Sequence, residues 1–438
     1  MENKRDTFGS RIGFILATIG FSVGVGTLWR FPYICGEYGG GLFLLTYIIM
    51  MLVIGIPLFS AEVSMGLASR KSPVGAYKTL EKPRAKWHIA GYFHMICIVL
   101  VIGYTIPVYG WILHYIYATA AGTFVGMDSQ QIADYFGTFS GSHGLVFGLI
   151  LLNCLLTALV VRNNLQQGIE KIAKILLPSL AVIMVILVIV GLRLPGASEG
   201  IRFIFTLDFA SFSLEGVLTA LGQTFFSLGI AMAVAMIFGS YQKEGDINVT
   251  KNSLIVSVSV IFVAIMASLM IFPMASAFDL EMSSGPGLTF ITMPNVFNTM
   301  TGGRIWGTVF YIGFFIAAFS SGIAGWEAVM AFLMDELKVS RMKAMGITFI
   351  LVMIIGIPAL LSDYMFNLFD MLTNNVFLIL GSLAISIFVG WVWGMDKMAE
   401  TCGIRKDGLL FKFLSVMIKY VSPVIVVILC LSLFGIIK

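Results

Sequence analysis

Near its start the chain reads Gly20-Phe21-Ser22-Val23-Gly24-Val25-Gly26-Thr27-Leu28-Trp29-Arg30-Phe31-Pro32, which sets three glycines and an arginine inside an apolar run long enough to cross a bilayer. Glycine gives up helical structure more readily than other ordinary residues. Irregular backbone at membrane depth survives only where protein or a watery cavity satisfies its polar groups. The segment therefore predicts an unwound stretch and a buried polar site. That the setting is a membrane follows from composition: of 438 residues 58% are hydrophobic and 11% charged, with a mean hydropathy of +0.96. A net charge of +4 dispersed over loops argues against a nucleic-acid partner and reads as a topology signal. Cys35, Cys97, Cys154, Cys402 and Cys430 form no CxxC or metal spacing and read as buried apolar residues. His88, His94, His114 and His143 are scattered, and no nucleophile, base and orienter trio appears, so an enzyme is not expected.

At about 20 apolar residues per crossing, the chain divides into eleven segments. They cover 11–34, 42–66, 89–121, 144–161, 168–193, 214–240, 253–276, 305–334, 343–361, 368–393 and 411–436, and are numbered 1 to 11 in that order. The expected fold is an all-α integral membrane protein forming one domain over residues 1–438. Lys4 and Arg5 precede segment 1, and Arg70, Lys71, Lys78, Lys82, Arg84 and Lys86 follow segment 2, whereas residues 122–142 carry Asp128 and Asp134 without Lys or Arg. The positive-inside rule then puts the N-terminus in the cytoplasm and the C-terminus outside the cell membrane. Met1 to Phe8 is polar, so no cleavable signal peptide is expected. The connection from Ala277 to Gly303 holds Phe290, Ile291 and Phe297 and reads as a re-entering lid.

Segment 6 repeats the peculiarity of segment 1, with Ser227 and Gly229 in Phe225-Phe226-Ser227-Leu228-Gly229-Ile230. An odd number of crossings per repeat inverts the second copy, and paired broken helices mark the midplane site of a secondary transporter. Residues 11–193 and 214–393 are the expected inverted repeats, each of five helices, with 411–436 as an extra crossing. A broken helix aims amides from one half at an anion and carbonyls from the other at a cation. A zwitterionic amino acid fits both: its carboxylate at the amides near Val25 and Gly26, its ammonium at the carbonyls near Ser22, Phe226 and Ser227. An aspartate in place of Gly24 would favour an amine and repel a carboxylate. Segment 8 contains Ala317-Ala318-Phe319-Ser320-Ser321-Gly322, whose hydroxyls and a free carbonyl suit a hard cation. Taken alone, such serines back-bond to the preceding turn and such glycines merely pack helices. Two breaks five segments apart favour the site.

These motifs carry a resemblance along the whole length. RIGFILATIGFSVGVGTLWRFPY, GGGLFLLTYII, GIPLFSAEVSMG, GQTFFSLG, GPGLTFITMP, SSGIAG before DELKVSR, and GMDK follow one another in the order seen in neurotransmitter:sodium symporters. The chain resembles bacterial eleven-span amino-acid transporters of that family. The resemblance implies a moving bundle of segments 1, 2, 6 and 7 against a scaffold. It implies one or two sodium ions. One sodium would sit on the carbonyls of Gly20, Val23 and Ala317 and the hydroxyls of Ser320 and Ser321. The other site is altered: Ser22 and Ser227 match, but the family's two asparagines fall at Thr27 and Ser259. Chloride is not expected, because Val263 stands where chloride-dependent members carry serine, although Tyr47, Gln223 and Ser227 match chloride ligands. Arg30 and Asp370 match an extracellular gate, and Arg5, Asp335, Ser240 and Tyr241 a cytoplasmic latch. Gly168 and Pro178 match a helix-loosening motif that admits water to the sodium site from inside. Glu62 and Glu327 match acids with structural or network roles.

The side-chain pocket implied by the resemblance comprises Val25, Tyr104, Phe226, Gly229, Met232, Ser321, Gly322 and Gly325, with Trp111 one position farther from Tyr104 than family spacing suggests. Gly322, Gly325 and Met232 leave volume that argues for a bulky hydrophobic or aromatic amino acid, unless a neighbour such as Trp326 refills it. The expected function is sodium-coupled symport of such amino acids by alternating access. A substrate-gated channel or sensor, and a proton-coupled or exchange-only transporter, remain as alternatives. The sequence leaves oligomeric state open.

Overall fold

In the computed structural model residues 6–243, 249–278 and 287–433 are described, and every regular element among them is helical. Segment 1 begins at Arg11 because the Ser10 hydroxyl accepts the Gly13 amide at 3.0 Å, filling one of the unpaired donors of a first turn. It runs to Ser22, breaks over 23–25, and resumes as Gly26–Glu37 after a bend of 50°. Nine further helices are long and apolar enough to cross a bilayer among the described residues: Gly41–Ser69, His88–Ala121, His143–Val161, Gln166–Leu192, Val249–Ser276, Gly303–Leu337, Arg341–Leu361, Asp363–Cys402 and Leu409–Ser432. With the bent pair counted once, ten candidate spans result. Segment 6 is the shortfall from eleven. It consists of Leu214–Leu228 and Val234–Ser240, 15 and 7 residues long, separated by 229–233, so neither piece alone spans hydrocarbon.

The second piece of segment 6 is held by close backbone approach. A β-carbon on Gly66 would fall on the Met236 carbonyl, and one on Gly239 on the Val63 carbonyl. Small residues thus let Val234–Ser240 lie directly on segment 2, the usual device for helix association where lipid supplies no hydrophobic drive. Segment 8 runs as one 35-residue helix, Gly303–Leu337, against segments 1, 3 and 5. Large apolar side chains such as Leu155, Phe262, Ile350 and Ile354 stand exposed, as a surface in hydrocarbon requires.

Two features exceed the sequence reading. The stretch expected as a plain extracellular loop contains a helix, Ser129–Ser140, started by a capping box in which Asp128 accepts from the Gln131 amide at 2.8 Å and Gln131 from the Asp128 amide at 2.9 Å. Of the expected lid, residues 279–286 lie outside the described residues, and Leu288–Thr299 is helical. Phe290 is buried there beside Trp111, Tyr115 and Phe136, and its carbonyl accepts from the Tyr115 hydroxyl at 3.0 Å.

Candidate functional site

At the end of the first half-helix hydroxyls meet two backbone carbonyls. The Thr27 hydroxyl donates to the Ser22 carbonyl at 2.9 Å. Ser320 Oγ, from segment 8, lies 2.9 Å from the carbonyls of both Gly20 and Ala317. Its single proton serves one of them at a time, so three oxygens converge on one spot. Val23, fully buried, ends the first half-helix with its amide on Ile19. Ser321 packs on Gly24, where a β-carbon would come within 2.6 Å of the serine's own. Glycine at 24 is therefore a condition of docking segments 1 and 8 together.

The second break lies against the first. A β-carbon on Gly26 would enter the ring of Phe226, so that ring covers the Gly26 backbone. Gln223 donates through its amide nitrogen to the Gly26 carbonyl at 2.8 Å and to Ser227 Oγ at 3.0 Å, joining the halves. Gly229, with φ of 63°, closes the first half-helix against the Phe21 ring. Met232 is buried in the unwound stretch. Ser22 Oγ is buried without a hydrogen-bond partner. Ser259 is half-buried and its hydroxyl back-bonds to Ile255 at 2.8 Å, while Val256, Val260 and Ala264 form the buried stripe of that helix. The family resemblance put Ser259 in the set, and helical periodicity sets it on the flank of that stripe.

Above the breaks, Arg30 stacks 5.1 Å from the Phe226 ring centre. Its guanidinium donates to Asn374 Oδ1 at 3.1 Å, and Asn374 Nδ2 donates to Asp370 Oδ1 at 2.9 Å. The Tyr104 hydroxyl donates to the same carboxylate oxygen at 2.8 Å. Arg30 thus reaches Asp370 through Asn374, a residue the sequence did not single out. Below, Arg5 lies outside the described residues, and Asp335 accepts the Ser72 amide at 2.7 Å. Tyr241 donates to Glu327 at 2.9 Å and accepts the Phe8 amide at its carbonyl, while Ser240 bonds Ile237 within its own turn. Arg341 pairs with Glu327 at 2.5 Å. Gly168 is buried in a wide turn, Gln166–Glu170, and Pro178 lies in the helix that follows. The expected side-chain volume is filled: Gly322 faces Tyr109 and Gly325 faces Ile102 and Ile98, with Trp326 buried alongside but not the filler at those contacts.

Comparison with known proteins decides the class. The profile of the Sodium:neurotransmitter symporter family matches residues 5–127 and 140–438. The chain belongs to this family. It is 30% identical over 454 residues to the uncharacterized sodium-dependent transporter YhdH of Bacillus subtilis, covering 100% of this chain and 99% of that one. It is 27% identical to the sodium-dependent serotonin transporter of Drosophila melanogaster over 97% of this chain and 75% of that one. The crystal structure of MhsT in complex with L-phenylalanine superposes with a TM-score of 0.91 at 31% identity, covering 98% and 99% of the two chains.

This sodium:neurotransmitter symporter is a sodium-dependent, multi-pass membrane transporter and not an enzyme. Its Gly20, Ala317 and Ser320 oxygens fit a hard monovalent cation, since all are uncharged oxygen donors already converged. Sequence reasoning also passed over Glu170, which accepts the Gly9 amide at 2.7 Å, the Ser10 hydroxyl at 2.8 Å and Lys174 at 2.7 Å. That carboxylate ties the start of segment 5 to the start of segment 1. Its signal was an acid two residues after Gly168, at the mouth of the water-path motif.

Proposed function

We propose that this symporter couples sodium to the uptake of neutral, bulky hydrophobic or aromatic L-amino acids by alternating access. The observation that carries the proposal is the contact of Ser320 with Gly20 and Ala317, which brings broken segment 1 and segment 8 to a single oxygen cluster 300 residues apart in sequence. Sodium there, with Val23 and Ser321 completing its shell, would replace the one hydrogen bond and fix segment 1 on the scaffold. The substrate carboxylate would face the amides at Val25 and Gly26, and its side chain the Phe226 ring, Gly229, Met232, Gly322 and Gly325. Tyr109 and Ile102 would have to shift for a large side chain. MhsT, of the same fold, binds L-phenylalanine. Eleven crossings in two inverted repeats, residues 11–193 and 214–393, complete the reading, with the N-terminus inside and the C-terminus outside.

One sodium is the coupling ion in this reading, because the Ser259 hydroxyl is already bonded to the Ile255 carbonyl on a half-buried flank of its helix. Chloride takes no part: both donor positions of the Gln223 amide are committed to Gly26 and Ser227, and Val263 offers no polar atom. A thermal-shift screen of the proteinogenic amino acids, in sodium and in potassium, tests the proposal, since a ligand stabilises the state it binds. Stabilisation by L-phenylalanine or similar side chains confined to sodium is expected. Equal stabilisation in potassium would remove sodium coupling, and stabilisation by small polar amino acids alone would overturn the substrate class.

A further inference from the structure

The unwound stretch of segment 6 is grasped by two ionisable side chains that the transport reading leaves without a task. Ala231 has φ of 64°, a left-handed conformation costly for any residue with a β-carbon. Its amide donates to Glu62 Oε2 at 3.1 Å, and its carbonyl lies 3.0 Å from His94 Nδ1. The other ring nitrogen, Nε2, is 3.1 Å from the Tyr77 hydroxyl. Glu62, His94 and Tyr77 are all fully buried, and Glu62 Oε1 has no hydrogen-bond partner. Gly381, on segment 10, closes the site: a β-carbon there would meet the Ala231 methyl at 2.5 Å and the imidazole at 3.2 Å.

The geometry points to a proton-binding site at Glu62, His94 and Tyr77 that sets the conformation of the unwound stretch. A carbonyl only accepts, so Nδ1 carries a hydrogen in every protonation state. Uptake of a proton therefore occurs at Nε2. Tyr77 switches from donating its O–H to accepting N–H, the imidazolium pulls harder on the Ala231 carbonyl, and no bond between heavy atoms changes. Glu62, across the same residue, is the second ionisable group of the site, so the two titrate as a coupled pair. Cys97 lies one turn farther along the His94 helix. Of the other ionisable groups nearby, Lys78 turns to Glu336, and Glu327 is held by Arg341 and Tyr241. Tyr77 sits on the helix Pro73–Leu80 in the loop after segment 2, and His94 lies six residues into segment 3 from the same side. The cytoplasm is thus the source of the proton when that side opens.

The test is histidine NMR on the ¹⁵N-labelled full chain carrying His88→Gln, His114→Gln and His143→Gln, so that His94 alone reports. In potassium, where that side opens to water, the imidazole is expected to titrate, as the Nδ1–H form when neutral. In sodium with L-phenylalanine the midpoint is expected to fall by at least about one unit, because the site is shut from water. Adding Glu62→Gln is expected to lower the potassium midpoint by about one unit or more, and Tyr77→Phe to lower it as well, while Cys97→Ser leaves it in place. Absence of titration in both cations, or a midpoint indifferent to Glu62→Gln, would overturn the site. Titration that responds to Glu62→Gln but is identical in the two cations keeps the proton site and counts against the sodium reading instead.

Discussion

The two broken helices solve the same problem by opposite means. Segment 1 unwinds over 23–25 where glycine removes side-chain bulk, and what holds it is neutral: the hydroxyls of Thr27 and Ser320 on freed carbonyls. Segment 6 unwinds over 229–233 through three left-handed residues, two of them the alanines Ala231 and Ala233, and what holds it is ionisable. A break shaped by glycine costs little strain and leaves oxygens free for a cation. A break forced on alanine stores strain, of roughly 1–2 kcal/mol per residue, that its neighbours must offset. The first is built to bind, the second to be released.

Substitutions that exchange these properties break the comparison most sharply. Gly24→Ala sets a β-carbon on Ser321 and is expected to cut sodium-dependent uptake more than about tenfold, with about 1–3 kcal/mol of overpacking, read from transport and thermal melts together. Next in size is Ser320→Ala, which removes one of three clustered oxygens; the sodium concentration for half-maximal stabilisation should rise roughly tenfold. Ser259→Ala is expected to leave that concentration unchanged, and an equal rise would restore a second sodium. Asn374→Ala breaks the bridge from Arg30 to Asp370 and should speed release of bound amino acid by about fivefold, measured by isotope dilution. The smallest effect is that of Ala231→Gly, which relieves left-handed strain but adds freedom to the unfolded chain. A gain of about 0.5 kcal/mol is expected, opposite in sign to Gly24→Ala.

How far the sequence showed this depends on whether a residue type carries a conformational signature. Gly24 and Gly26 do, and the stretch from Gly20 to Pro32 was legible as the place of the first break, which falls at 23–25. Ala231 and Ala233 do not: nothing in alanine announces a positive φ, so only Ser227 and Gly229 marked the second break. Ten of the expected segments were readable as apolar runs, because hydrocarbon thickness dictates their length. The helix Ser129–Ser140 was missed although the Asp128 and Gln131 signal was present, because its core-facing residues, Ile132 and Phe139, are few. At the site, Ser320 and Gly20 could be paired in advance through the family resemblance. Asn374 and His94 could not, since a polar residue in an apolar helix names its role only once its neighbours across the bundle are known.

Uptake of radiolabelled L-phenylalanine into proteoliposomes, with an inward sodium gradient and with potassium on both sides, tests the central claim directly. The account predicts accumulation above equilibrium only with the sodium gradient, lost in Gly24→Ala and retained in Ser259→Ala. Equal accumulation without sodium, or none of any bulky amino acid with it, would contradict the account.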